Sequence, residues 1–203
     1  TGALSFQDTP DYETIKDLNG ITLEFKTNFY DATKSVANSF FVELYDTQNK
    51  SNQSTPITSD NFIQYVNDKS FDNTLIHRLV SDFVVQSGGF TISTSESNQS
   101  GFSISVIQSK GEIINEPGNS NYMGSIAMAK QGGQPNSATS EWFINLSDNK
   151  HLDTQNEGFT VFGHILGDGI NNPLLLNQAG VKTYPLDLEF TSTTIQLPTV
   201  PLF

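Results

Sequence analysis

Apolar and polar residues alternate in short runs along most of this 203-residue chain. In ITLEFKTN (residues 21–28), Ile, Leu and Phe occupy every second position, which is the period of a half-buried β-strand. Similar runs, such as SFFVELYD and FTVFGHIL, are separated by turn-forming residues. Helix signals are confined to residues 56–68 and 172–180, so the pattern predicts an antiparallel barrel or a sandwich.

Length and charge limit the domain count and the partners. A chain of 203 residues can bury one full hydrophobic core, which favours a single domain. The net charge of −12 and the absence of a lysine cluster argue against nucleic acid and against an anionic membrane surface. No apolar run approaches the ~20 residues of a membrane span. We therefore expect no nucleic-acid partner and no membrane association.

Motifs of ordinary acid–base or nucleophilic catalysis are missing from the sequence. The chain has no cysteine, and its three histidines lie far apart without a metal-binding spacing. It has neither a GxSxG elbow nor a phosphate-binding GxxxxGK[ST] loop. We therefore expect no metal site and no cofactor.

The only arginine of the chain, Arg78, lies in an apolar run, TLIHRLVSDFVVQSGGF (residues 74–90). His77 and Gln86 also interrupt this run. Burying a guanidinium is costly unless it is paired. Arg78 is therefore either a structural arginine paired with a carboxylate or a functional cation.

Two long segments resemble the cyclophilin family of peptidyl-prolyl isomerases. FDNTLIHRLVSDFVVQSGGF (residues 71–90) is similar to the family's pattern of Phe, His-Arg, Phe and Gln-x-Gly. GSIAMAKQGGQPNSATSEWFINLSDNKHLDTQNEGFTVFGHI (residues 124–165) is similar to its G-x-I-A-M-A strand, its P-N-S-x-x-S-Q-F-F-I segment and its L-D and V-F-G elements. Weaker similarity in TPITSDNF and INEPGNSNYMGSIAMA extends the resemblance over about residues 21–180.

The resemblance implies a mainly β fold, a closed eight-stranded antiparallel barrel capped by two helices. We expect residues 1–20 to be an N-terminal extension and residues 21–203 to be a single cyclophilin-like domain, with a C-terminal extension at about 182–203. The implied activity is cis–trans isomerisation of Xaa–Pro bonds. The expected partners are proline-containing peptides and unfolded or partly folded proteins, bound by a monomer. Few charges and many Asn, Ser, Thr and Gln favour a periplasmic or secreted location and leave a cytoplasmic one open.

The family's functional residues are carried over by position in the matched motifs. The catalytic arginine falls on Arg78, and the glutamine that binds the substrate backbone falls on Gln86. Phe159 stands where the family has His or Tyr. The remaining positions of the proline pocket and the peptide groove are Phe83, Val84, Ala129, Lys130, Phe143 and Leu152.

The chemistry of Xaa–Pro rotation explains why an arginine is required. Resonance of the peptide bond sets a barrier of ~18–20 kcal/mol, although the two prolyl isomers differ by only about 0.5–1 kcal/mol. A catalyst needs no nucleophile, because it has only to favour the twisted amide, in which the prolyl nitrogen becomes more basic. A guanidinium that donates a hydrogen bond to this nitrogen stabilises the transition state alone. Arginine suits this role because its planar guanidinium group stays charged.

Two departures from the family pattern affect the site. Glu141 replaces a glutamine, and a carboxylate beside Arg78 is able to pair with it, so we expect reduced activity that falls as Glu141 ionises. His151 replaces a tryptophan that contacts cyclosporin in many members, so we expect weak cyclosporin binding at most. His77 is assigned a structural role, and Trp142 is assigned to the core.

Two other functions are compatible with the sequence. One is a cyclophilin-fold module that binds proline peptides or acts as a chaperone with little catalytic activity. The other is an unrelated all-β secreted binding domain, which would require the motif match to be accidental.

Overall fold

The computed structural model describes residues 3–5, 21–31, 34–46, 53–94, 102–171, 173, 182–190 and 193–202. These residues contain one long α-helix, α1 (Pro56–Asn67), and a series of β-strands. The strands are β1 (Ala3–Ser5), β2 (Thr22–Asp31), β3 (Lys34–Leu44), β4 (Thr74–Leu75), β5 (Arg78–Val80), β6 (Val84–Ser87), β7 (Phe90–Thr94), β8 (Phe102–Val106), β9 (Ser125–Met128), β10 (Trp142–Asn145), β11 (Val161–Ile165), β12 (Lys182–Phe190) and β13 (Thr193–Leu202).

Strands β1 to β11 form one antiparallel sheet in the order β5-β6-β10-β9-β11-β3-β2-β1-β4-β7-β8. Strands β12 and β13 pair in a separate antiparallel hairpin. The prediction of a mainly β, antiparallel fold is therefore confirmed. The domain boundaries stay predictions, although β1, inside the predicted N-terminal extension, pairs with β2 and β4.

The large sheet is strongly curled. Three strands separate β2 from β10, so a flat sheet would place them about 19 Å apart, at ~4.8 Å per strand. The rings of Phe25 on β2 and Trp142 on β10 nevertheless lie 5.5 Å apart, edge to face. The sheet thus wraps around a shared core, and Trp142, which is 1% exposed, belongs to that core as predicted.

Helix α1 packs on the same core. Pro56 occupies the start of the helix, where its missing N–H costs no hydrogen bond. Phe62 is fully buried, and its ring lies 5.1 Å from that of Phe162 on β11. No helix in the described part of the chain has the length and apolar character needed to cross a membrane.

The sheet has two edges, β5 and β8, and the pairings of the described strands do not join them. This sheet has eleven strands, whereas eight were predicted. Closure of the sheet into a barrel stays a prediction. The second predicted helix, residues 172–180, lies outside the described residues except for Pro173.

Strand alternation places different side chains on the two faces of the sheet. On β10, Trp142 and Ile144 point into the main core, whereas Phe143 belongs to a second apolar cluster on the opposite face. On β9, Ile126 and Ala127 divide in the same way. This outer cluster consists of Tyr45, Val84, Ala127, Phe143, Leu152 and Val161, with Phe83, Ala129 and Phe159 packed against it.

Candidate functional site

A cavity of about 260 Å³ lies over the outer cluster. It collects nine of the eleven side chains that the sequence predicted for the site, although they come from six separate segments of the chain. The cavity is lined by Arg78, Phe83, Val84, Gln86, Ala129, Lys130, Phe143, Leu152, Gln155 and Phe159. Gln155 was not predicted, because it begins a short polar 3₁₀ helix, Gln155–Glu157, that carries no recognisable motif.

Strand register brings the polar and apolar parts of this cavity together. Arg78 on β5 is paired with Gln86 on β6, and Gln86 is paired with Phe143 on β10. Directly opposed residues of antiparallel strands project from the same face. The pairing therefore sets a guanidinium and an amide beside the aromatic floor.

Aromatic and aliphatic side chains form the floor and wall of the cavity. The rings of Phe143 and Phe159 meet edge to face at 5.8 Å. Val84 and Leu152 are almost completely buried beside them. The backbone N–H of Phe159 donates to the carbonyl of Leu152 at 3.0 Å, which ties the two wall segments together.

A buried asparagine, Asn149, connects the other side of the wall to the sheet. Its Nδ2 donates to the Phe83 carbonyl and to Asn145 Oδ1, both at 2.8 Å. The backbone carbonyl of Asn149 accepts the backbone N–H of Leu152 at 2.8 Å. Asn149 thus fixes two pocket residues at once, a role for which the sequence offered no signal.

The guanidinium of Arg78 is held at the edge of the apolar cavity. Its Cζ lies 5.7 Å from the ring centroid of Phe83, within the range of a cation–π contact. Its Nη1 donates to Gln86 Oε1 at 3.3 Å. A guanidinium has five N–H donors, so the bond to Gln86 leaves others available beside the cavity that Arg78 lines.

Glu141 does not pair with Arg78 in the described part of the chain, contrary to the pairing considered from the sequence. Its Oε2 instead accepts the Nε2 of Gln86 at 2.6 Å and lies 3.3 Å from the Nε2 of His77. Burial by itself would raise the pKa of the Glu141 carboxyl, but the hydrogen bonds from His77 and Gln86 and the charge of His77 outweigh burial and hold this pKa below its usual range. Glu141 is therefore ionised at neutral pH.

Lys130 is a second cationic residue that lines the cavity. Its Nζ donates to the Gly158 carbonyl at 2.6 Å and sits 5.1 Å from the ring centroid of Phe159. Partial burial lowers the pKa of Lys130, and the nearby Glu157 carboxylate opposes this shift. The amine is thus anchored against the pocket wall rather than extended into solvent.

A second cavity of about 200 Å³ adjoins the first and shares three of its lining residues. Glu141 lines this second cavity and not the first. The second cavity is lined by Gln86, Ala129, Lys130, Gln131, Ser137, Thr139 and Glu141.

His151 lines neither cavity. Its side chain is exposed and stacks on Phe83, with ring centroids 5.7 Å apart.

The described residues contain no group of three or more side chains suited to hold a metal ion. The site instead offers the cationic donor Arg78 beside an apolar cavity that Lys130 also lines. Such an arrangement can grip an apolar ring and place a hydrogen-bond donor next to it in a partly dry space.

Comparisons of this chain with a family model and with curated proteins point to the same family. The model of the cyclophilin-type peptidyl-prolyl cis-trans isomerase family matches residues 28–187. A peptidyl-prolyl cis-trans isomerase of Acinetobacter baylyi is 33% identical over 62% of this chain and 60% of its own length. An isomerase of Streptomyces antibioticus is 36% identical over 54% of this chain and 64% of its own length. The chain thus spans less than two thirds of these relatives.

A solved structure is also similar in fold. The crystal structure of a cyclophilin-type peptidyl-prolyl cis-trans isomerase from Cryptosporidium parvum superposes with a TM-score of 0.52. The match covers 81% of this chain and 91% of the other, at 19% sequence identity. At this identity the likeness supports the fold alone.

Proposed function

This chain belongs to the cyclophilin-type peptidyl-prolyl cis-trans isomerase family, and from that premise we propose that it catalyses rotation about Xaa–Pro peptide bonds. The observation that carries the proposal is the Arg78 guanidinium, held by Gln86 beside a cavity with an aromatic floor. The reaction makes and breaks no covalent bond, so it requires neither a nucleophile nor a cofactor.

The apolar cavity supplies the grip on the substrate. A pyrrolidine ring fits against Phe143, Leu152 and Phe159, and its transfer from water to this floor is favourable. The cavity is smaller than a typical site for a drug-sized ligand, which suits a single ring. With the ring held, the carbonyl side of the peptide bond is the part that rotates.

Arg78 supplies the transition-state interaction. In the planar ground state the prolyl nitrogen shares its lone pair with the carbonyl and accepts hydrogen bonds poorly. In the twisted state the lone pair returns to the nitrogen, and an N–H of the guanidinium can donate to it. Because this bond forms only in the transition state, it raises turnover rather than ground-state affinity.

Gln86 can bind the substrate backbone without releasing its neighbours. Its amide oxygen accepts from Arg78, and one of its two N–H groups donates to Glu141. An amide nitrogen carries two protons. The second proton is the one proposed to bind a substrate carbonyl.

The proposed substrates are proline-containing peptides and segments of unfolded or partly folded proteins, bound by a monomer. Sedimentation of the protein at micromolar concentration checks the monomer. Cyclosporin binding is proposed to be weak, because His151 offers a smaller, more polar surface than tryptophan. A nanomolar inhibition constant would contradict this last proposal.

The decisive experiment is NMR exchange spectroscopy on an Xaa–Pro peptide. We expect the wild-type protein to accelerate exchange and Arg78→Ala to lower kcat by about 10²–10³-fold, as expected for the loss of one transition-state donor. Lys110→Ala is the matched control, because it removes the same charge beside Asp68, away from the cavity. Equal activity of wild type and Arg78→Ala would contradict the proposed role.

The same measurement separates an enzyme from a binding module with little catalytic activity. A module of that kind would perturb the peptide's resonances on binding while leaving the exchange rate unchanged. No observation on the described residues favours this second function.

A further inference from the structure

Four polar side chains form a continuous chain of contacts that leads from the cavity into the protein. Arg78 Nη1 donates to Gln86 Oε1 at 3.3 Å, and Gln86 Nε2 donates to Glu141 Oε2 at 2.6 Å. The same carboxylate oxygen lies 3.3 Å from His77 Nε2. His77 is only 7% exposed and is not part of either cavity lining.

Glu141 reinforces the orientation of the Gln86 amide that presents its oxygen to Arg78. An ionised carboxylate only accepts hydrogen bonds, and a guanidinium only donates them. If the amide were turned over, its NH₂ would face Arg78 and its oxygen would face Glu141, so both contacts would become repulsive. The carboxylate and the guanidinium thus favour the same amide orientation, whereas with a glutamine at position 141 only the Arg78 contact would select it.

The same carboxylate favours a His77 ring that carries a proton on Nε2. Its Nδ1 is buried without a hydrogen-bond partner among the described residues, and its ring packs on the edge of Phe90 at 5.3 Å. A neutral ring with its proton on Nδ1 would set the Nε2 lone pair against the Glu141 oxygen. With the proton on Nε2, the ring donates to the carboxylate instead.

Close packing keeps the histidine and the carboxylate together. A Cβ atom placed on Gly89 would lie 3.1 Å from Glu141 Oε1 and 3.2 Å from His77 Cε1. These distances are shorter than ordinary van der Waals contacts. The two side chains therefore fill a niche that exists because residue 89 lacks a side chain.

We propose that His77 is a positioning residue for the isomerase reaction: it holds Glu141, which orients the Gln86 amide and thereby the Arg78 guanidinium. The inference rests on the proposed function. It gives ionised Glu141 a supporting role, opposite to the activity loss expected from the sequence, because the carboxylate reaches Arg78 through the amide. The titratable and charged groups near Glu141 in the described residues are His77, Arg78 beyond the amide, and Lys130, which also lines the second cavity.

The first test is the isosteric change Glu141→Gln. We expect kcat to fall about tenfold with little change in KM, since a glutamine no longer reinforces the orientation of the Gln86 amide that holds Arg78. Glu112→Gln is the matched control, because it makes the same chemical change at an exposed position outside both cavities. Its kcat is expected to equal that of the wild type.

The second test separates positioning from simple packing at His77. His77→Leu keeps an apolar side chain in the niche and removes the donor, so kcat should fall by a similar factor. His77→Gln places an amide N–H at a similar reach and should restore most of kcat. Thermal unfolding of each variant identifies a change that only destabilises the fold.

A third readout does not depend on activity. The Gln86 N–H that points at Glu141 should resonate downfield of other glutamine side chains, and it should move upfield in Glu141→Gln and His77→Leu. An unchanged or higher kcat in Glu141→Gln overturns the inference, and so does an unmoved Gln86 resonance. A wild-type protein without isomerase activity would overturn the proposed function and the catalytic part of the inference, while the resonance would still decide whether the carboxylate orients the amide.

Discussion

At the scale of the residue, Arg78 lies in an apolar run where an unpaired charge is costly. Two neighbours offset that cost: the face of Phe83, 5.7 Å from the guanidinium, and the amide oxygen of Gln86. Neither neighbour is an anion, so the positive charge is held in place without being neutralised. A cation kept in this state can still donate to a substrate nitrogen.

Phe159 and Phe162 provide a matched pair of residues on opposite faces. Phe159 lines the cavity, whereas Phe162 is fully buried in the main core. We expect Phe159→Leu to raise KM about three- to tenfold with kcat nearly unchanged, because the ring grip acts equally in ground and transition states. Phe162→Leu should instead lower the free energy of unfolding by about 1–3 kcal/mol and leave KM unchanged. Peptide-exchange kinetics and urea unfolding measure the two effects, and equal effects of both changes on KM would contradict the two-face assignment.

At the scale of the element, the site depends on a short 3₁₀ helix, Lys150–Asp153, that carries His151 and Leu152. Asn149 precedes this helix and binds it to the segment that carries Phe83. Asn149 therefore joins the two segments that form this part of the pocket wall. Asp153 strengthens the far end of the helix by accepting the backbone N–H and the side-chain Nδ2 of Asn121.

Asn149→Ala should destabilise the protein and loosen the pocket. The change leaves Asn145 Oδ1 buried without its donor, which costs about 1–3 kcal/mol. We also expect KM to rise, because the Phe83 carbonyl loses the Asn149 side-chain donor, although the backbone carbonyl of residue 149 still accepts the N–H of Leu152. Urea unfolding and exchange kinetics test both effects. Asn67→Ala, at an exposed position of α1, is the control and should change stability by no more than about 0.5 kcal/mol; a similar loss in both variants would argue against the anchoring role.

At the scale of the whole molecule, the net charge of −12 sets the response to salt. Like charges on a compact chain repel one another, and this repulsion is weaker in the expanded unfolded state. Dissolved salt screens the repulsion beyond about 8–10 Å at physiological ionic strength. The folded state should therefore gain more from added salt than the unfolded state.

We expect the thermal midpoint at pH 7 to rise when NaCl is increased from about 20 to 200 mM, over which the Debye length falls severalfold. At pH 4.4, the sequence pI, the net charge is close to zero and the same addition should have little effect. Differential scanning calorimetry at the two pH values makes the comparison. A midpoint that falls with salt at pH 7 would show that specific ion pairs outweigh the general repulsion.

Much of the site could be predicted from the sequence, because the residues that line it lie in two motif-rich segments. Nine of the eleven predicted side chains share one cavity in the structure. Gln155 and Asn149 could not be predicted, since each acts through its place in a loop and not through a recognisable residue pattern. The roles of these residues in catalysis stay predictions until the variants are measured.

The alternation of apolar and polar residues by itself determined that the chain forms strands with two different faces. It also determined which side chains could share a face, because the side-chain period of a strand is two. Strand partners are not encoded in that period. The pairing of β6 with β10 was decided only by the tertiary structure, and it brings Gln86 and Glu141, 55 positions apart, within 2.6 Å. Glu141 therefore contacts Gln86 and His77 and not Arg78, because the folded sheet places the Gln86 amide between the carboxylate and the guanidinium.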